Sequence, residues 1–245
     1  MAFSYSAVWD DTTRLLREHG RLLTAVAGVF LFLPALLIAH FLPPPEPVDP
    51  NRAMQAMVDY WRDGWHWLLL QMLVTMIGTA AMLRLVLARG TNVGGAIAFG
   101  LTLLPFYFLL TLLCVIIVTF GFLLLIVPGL YLIGRLAPAT AAIVAENGRN
   151  PIAAVARAFE ITRGRGWAVF GLVFIVGFVG AVAFRVAAML LGLAFHVAAV
   201  DAAARLLTAV TSSALNAGFA TVMLMLYAAI YRALAGAGSA AATFE

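Results

Sequence analysis

AIAFGLTLLPFYFLLTLLCVIIVTFGFLLLIVPGLYLIGRLAPATAAIV, residues 96–144, carries a single charged side chain, Arg135. At 1.5 Å per residue a helix of about 49 residues would be more than twice as long as the ~30 Å hydrocarbon core of a bilayer is thick. The run must therefore fold back on itself, and the reading places the turn near Thr119–Gly121. That leaves two spans, about 97–118 and 122–145, with no hydrophilic loop between them. Pro105, Pro128 and Pro138 predict kinks and freed carbonyls within them.

The same pattern continues on either side. Upstream, a span of about 22–41 ends at Pro43-Pro44-Pro45, because proline lacks the amide a helix needs. The segment Pro47–Trp67 is polar enough to leave the membrane. Met54, Met57, Tyr60, Trp61 and Trp65 recur in it at helical spacing, which predicts a short interfacial helix before a span of about 68–87. Tyr5–Gly20 is amphipathic, and the apolar segment after it is too long for a cleavable leader, so the first span is expected to stay attached. Downstream, Asn150 and Pro151 read as N-cap and first helical residue of a surface helix over 151–163. Its expected bilayer-facing stripe is Ile152, Val155, Ala156 and Phe159. Spans of about 167–193 and 206–226 complete the chain. The expected fold is all-α: one membrane domain, a polytopic bundle of about six spans with short interfacial helices.

Composition points the same way. The 245 residues are 64% apolar and 11% charged, with a mean hydropathy of +1.03. A soluble domain averages about 45–50% apolar and about 25% charged. The net charge of +4 would fit nucleic acid in a soluble protein, but arginine beside apolar spans is what topology alone demands, so no nucleic-acid partner is expected. Arg14, Arg17, Arg21, Arg84, Arg89, Arg149, Arg157, Arg163, Arg165 and Arg232 fall on one side, against Arg52, Arg62 and Arg205 on the other. The positive-inside rule then puts both termini in the cytoplasm. A weak internal echo, Ala80–Arg84 with Ala228–Arg232, suggests three repeated hairpins of two spans each.

Few residues could carry chemistry. Arg135 and Arg185 are expected deep in their spans, where an arginine costs about 2.5–3.5 kcal/mol on insertion scales, and no Asp or Glu lies in a span to offset it. One reading satisfies them with carbonyls freed near Pro138, with Gln71, Asn216 and water. The sharper reading sets one against a lipid phosphate, which guanidinium grips by a forked pair of hydrogen bonds. Asp201 and Arg205 are spaced for a helix-face ion pair. Ser212, Ser213 and Asn216 could bond to a neighbouring helix. The histidines His19, His40, His66 and His196 have no metal-ligand spacing, and Cys114 stands alone. No nucleophile elbow or phosphate loop occurs, so neither enzyme activity, metal nor cofactor is expected.

One block resembles a known family: Val127-Pro128-Gly129-Leu130-Tyr131-Leu132, then Arg135 and Pro138, then Glu146-Asn147-Gly148, then Arg157, and Thr162-Arg163-Gly164 before Trp167. It is similar, over about 127–170, to the membrane domain found beside some bacterial glycerophosphodiester phosphodiesterases and to stand-alone inner-membrane relatives of the YciC type. The family's Arg-Ser-Trp is here Arg157-Ala158-Phe159, and the metal ligands of the phosphodiesterase barrel are missing. The resemblance thus implies an architecture and a bacterial inner-membrane location, with Pro128, Gly129, Pro138, Glu146, Gly148, Thr162 and Gly164 as structural motif. It implies no hydrolysis. The expected function is non-enzymatic binding or organisation of anionic phospholipid at the cytoplasmic leaflet, through Arg135, Arg157, Arg163, Arg165, Trp167 and Arg185. The alternatives are a small-solute permease using the kinked third and fourth spans, or a scaffold packing a membrane-protein partner or second copy against Gly171, Gly177 and Gly180.

Overall fold

The computed structural model describes residues 3–43, 50–88, 90–198 and 200–241. Pro44, Pro45 and Arg89 lie outside the described residues. So does the side chain of Asp201, and with it the expected Asp201–Arg205 pair. Among the described residues the chain is helical, with no strand, and six of its helical runs are long and apolar enough to cross a membrane. The most apolar windows of the runs Val93–Leu124 and Gly166–Val197 are only 17% buried within the chain. So large an apolar surface calls for lipid around it.

The first run extends from Tyr5 to Phe41: α1 (Tyr5–Ala27), a π-helical turn (Gly28–Phe32) and α2 (Leu33–Phe41). Ser4 caps α1 by accepting from the Ala7 amide. The π turn has a cause in Pro34, which cannot donate to the Phe30 carbonyl and crowds it. The hydroxyl of Thr75 donates to that carbonyl instead, at 3.5 Å. The amphipathic half of the run buries Val8, Thr12 and Leu15, and Asp11 pairs with Arg14 and, at 3.6 Å, with Arg232.

Helix α3 (Pro50–Leu87) corrects the expected division between an interfacial helix and a second span: it is continuous over 38 residues. Gly64, the glycine next to the expected division, instead lets Leu42 approach, since a side chain there would meet Leu42 Cδ2 at 2.3 Å. Trp61, Trp65 and Trp67 remain exposed along its N-terminal half.

Helix α4 (Val93–Leu124) begins at Asn92, whose side chain accepts from Gly95 N at 2.7 Å, and it runs without interruption through Pro105. The fold-back comes at Leu125, in extended conformation, and not at Thr119–Gly121. Gly121 is a packing residue: a side chain on it would lie 3.0 Å from the Gly129 Cα across the hairpin. Helix α5 (Ile126–Leu136) has Pro128 in its first turn, where a missing amide costs nothing, so Pro128 starts a helix and does not kink one. Pro138 does interrupt, separating α5 from α6 (Ala139–Ala145).

Helix α6 ends in a Schellman motif. Gly148 N donates to Ile143 O at 2.9 Å and Asn147 N to Val144 O at 3.4 Å, with Asn147 at φ 50°. Helix α7 (Pro151–Ile161) starts as expected, with Asn150 accepting from Ile152 N and Ala153 N. Its buried stripe is Ala154, Val155 and Ala158, whereas Ile152 and Ala156 are exposed. This face packs on α4, α5 and α6, so protein occupies much of what was expected to be bilayer surface. The two longest closing helices, α8 (Gly166–Ala198) and α9 (Asp201–Ala241), pair antiparallel. Gly177 faces Met223 and Gly180 faces Phe219 in that pairing, so this glycine face is largely used within the chain and not left for a partner. Both echo segments, Ala80–Leu83 and Ala228–Ile230, are core residues with almost no exposure.

Candidate functional site

Arg135 stands at the end of α5, where α7 stops and α8 begins. Its Nε donates to Thr162 Oγ1 at 2.8 Å, its NH1 to the Tyr131 hydroxyl at 2.9 Å, and its NH2 to the carbonyl of Phe159. The guanidinium carbon lies 4.8 Å from the Phe159 ring centre and 5.6 Å from that of Tyr131. Among the described residues no carboxylate takes part. The partners differ from the expected Gln71, Asn216 and Pro138 carbonyls, and the reason is electrostatic. The last carbonyls of a helix are orphaned and carry its negative dipole end, so a cation there is doubly favoured. Arg135 caps α7.

This explains the spacing of the motif. Thr162, fully buried, accepts from Arg135 and donates to Ala158 O at 2.6 Å, so its hydroxyl is used twice. Gly164 turns the chain at φ 73°. Gly134 and Gly166 then allow contact: a side chain at 134 would lie 2.6 Å from the Gly166 carbonyl, and one at 166 would lie 2.7 Å from Arg135 Cδ.

Beside this clamp is a cleft of about 910 Å³ between the start of α5 and the start of α8, bordered on one side by Phe3 and Tyr5. Val127, Pro128, Tyr131, Trp167, Phe3 and Tyr5 form its apolar wall, and Gly164, Arg165 and Gly166 its polar edge. Tyr131 and Trp167 are in ring contact at 5.3 Å. From Trp167 an aromatic ladder runs along α8 through Phe170, Phe174 and Phe178, each pair 5.5–6.0 Å apart. Trp167, Phe174 and Phe178 are exposed along it.

The other arginines divide sharply. Arg163 is exposed, with no ion pair among the described residues. Arg157 is the exception to the expectation of unpaired bases. It bonds Glu146 at 3.0 Å and Glu160 at 2.8 Å, and these contacts, Glu160 first, raise its pKa above the ordinary arginine value. The Tyr231 hydroxyl meets the same Glu146 oxygen at 3.1 Å. Arg84 donates to Asn147 and lies 4.4 Å from the Phe99 ring centre, tying α3 to the α6 cap. Arg185 is remote from all of these, on the wall of a separate cavity with Ser212, Ser213 and Asn216. Ser212 bonds to Ala209 O within its own helix and not to a neighbouring one. Among the described residues no group of His, Cys, Asp and Glu could hold a metal ion.

Sequence reasoning found Arg135, Thr162, Gly164 and Trp167 but missed Tyr131 as a bonding partner and Phe3 and Tyr5 as cleft walls. Six apolar helices and this inventory define the class: a multi-pass membrane protein. No protein-family model, curated protein or solved structure matches the chain.

Proposed function

We propose that this is a non-enzymatic protein of the bacterial inner membrane that binds anionic phospholipid at the cytoplasmic leaflet, with both termini in the cytoplasm. One observation carries the reading: the cleft at the head of α8 joins an apolar aromatic wall to the Gly164–Trp167 turn, with Arg165 at its edge, the composition a headgroup with its attached chains requires. The aromatic ladder gives acyl chains a continuous surface leading away from the basic turn. An arginine near an anionic surface contributes about 1 kcal/mol, so Arg163 and Arg165 would raise affinity several-fold each. The ten-to-three arginine asymmetry supports the orientation, and the resemblance of residues 127–170 to the phosphodiesterase-associated membrane domains supports the location.

Arg135 serves this function indirectly, by fixing α7 against α5 so that the turn after Thr162 faces the cleft. Arg157, already paired with two carboxylates, has no part in it. The test is native mass spectrometry of protein purified in mild detergent. Wild-type protein should retain anionic phospholipid, and the double variant Arg165→Gln/Trp167→Ala should lose most of it. Equal retention by both, with both folded, would end the proposal.

A further inference from the structure

Arg185 lies in the middle of the apolar surface of α8, some 13 residues or about 20 Å from the helix end at Ala198. Phe178, Val179 and Val182 precede it and Val186, Met189 and Leu190 follow it, all exposed. Among the described residues Arg185 has neither an ion pair nor a hydrogen bond, although an unneutralised guanidinium in an apolar belt is unfavourable.

The side chain borders a cavity of about 460 Å³ formed by α2, α8 and α9. Ser213 and Asn216 line the opposite wall, Ser212 joins them, and Ala35, Ala181 and Ala188 keep the space open. The Ser213 hydroxyl and the Asn216 amide thus line the same cavity as one uncompensated positive charge, and no carboxylate lines it. Phosphate oxygens accept from this set of donors, and guanidinium binds them by two parallel bonds.

We propose that the α2–α8–α9 cavity is a second binding site, for a phosphate-bearing anion held by Arg185, Asn216 and Ser213. The site is separate from the α8 cleft and stands or falls without it. The anion is either the headgroup of a lipid entering sideways between α8 and α9 or a free phosphate, and the experiment distinguishes the two.

Protein in maltoside detergent is titrated with phosphatidylglycerol and, separately, with inorganic phosphate, and bound molecules are counted by native mass spectrometry. Loss of one phosphatidylglycerol adduct in Arg185→Gln and in Asn216→Leu, with affinity roughly tenfold weaker and an intermediate affinity in Arg185→Lys, which keeps the charge but not the forked pair of bonds, supports a lipid at this site. Loss of an inorganic phosphate adduct in the same variants supports a free anion. Arg157→Gln, at the Glu146–Glu160 ion-pair cluster, should leave either count unchanged. Identical counts for both probes in wild type, Arg185→Gln and Asn216→Leu would overturn the proposal, and Asn216→Leu provides the reading if Arg185→Gln does not fold.

Discussion

Replacing Thr162 by valine changes the shape of the side chain little and removes one oxygen. That oxygen accepts the Arg135 Nε–H at 2.8 Å in a fully buried position. A hydrogen bond to a charged group contributes about 1.5–3 kcal/mol, and leaving a buried charged donor unpaired costs at least as much. The lost bond from Thr162 to the Ala158 carbonyl adds about 0.5–1 kcal/mol. Thr162→Val should therefore destabilise the protein by about 2–4 kcal/mol. The variant Arg135→Met removes the donor itself: it orphans the Phe159 carbonyl but also removes a costly charge, so its net cost should be smaller, about 0–2 kcal/mol. In that background Thr162→Val has no cation left to strand, and its cost should fall below about 1 kcal/mol. The four proteins are compared by unfolding in mixed detergent with rising sodium dodecyl sulfate, followed by the fluorescence of the tryptophans, of which Trp167 touches Tyr131. Additive costs, with a coupling below about 0.5 kcal/mol, would refute the account of Arg135 as the cap of α7.

Other substitutions separate packing from charge. Gly134→Ala would drive a methyl to 2.6 Å from the Gly166 carbonyl and should cost about 1–3 kcal/mol in the same unfolding assay. Asn147→Val should cost about 1–2 kcal/mol, because a β-branched residue resists the left-handed conformation at φ 50° that closes α6. Asn147→Gly should cost less, and its remaining loss measures the Arg84 bond. Arg157→Gln, at a half-exposed ion-pair cluster, should cost less than about 1 kcal/mol and leave lipid retention unchanged.

The apolar run 96–144 made the hairpin and the number of helical spans legible, because only helices satisfy the backbone in lipid. The turn was misplaced by a few residues because glycine has two uses. Gly121 looked like a breaker, but its role is to let α5 approach, and a neighbouring element is what decides between the two. The single helix Pro50–Leu87 was hidden for a related reason: polarity marks where a chain leaves lipid, and a helix can continue past that point. Arg135 was identifiable from its charge, and its partners were not. Thr162 and Phe159 lie on a helix more than twenty residues away, brought close by the Pro138 break and the α6 cap. Tyr5 and Phe3 carried no signal, since their role comes from where α1 happens to begin.

The phospholipid proposed at the head of α8 can be sought directly. A high-resolution map of the protein in nanodiscs containing phosphatidylglycerol should show a headgroup against Arg165, with acyl density running along Trp167, Phe174 and Phe178. A cleft filled by ordered water or by the protein's own side chains, with lipid density no stronger there than elsewhere on the belt, would contradict it.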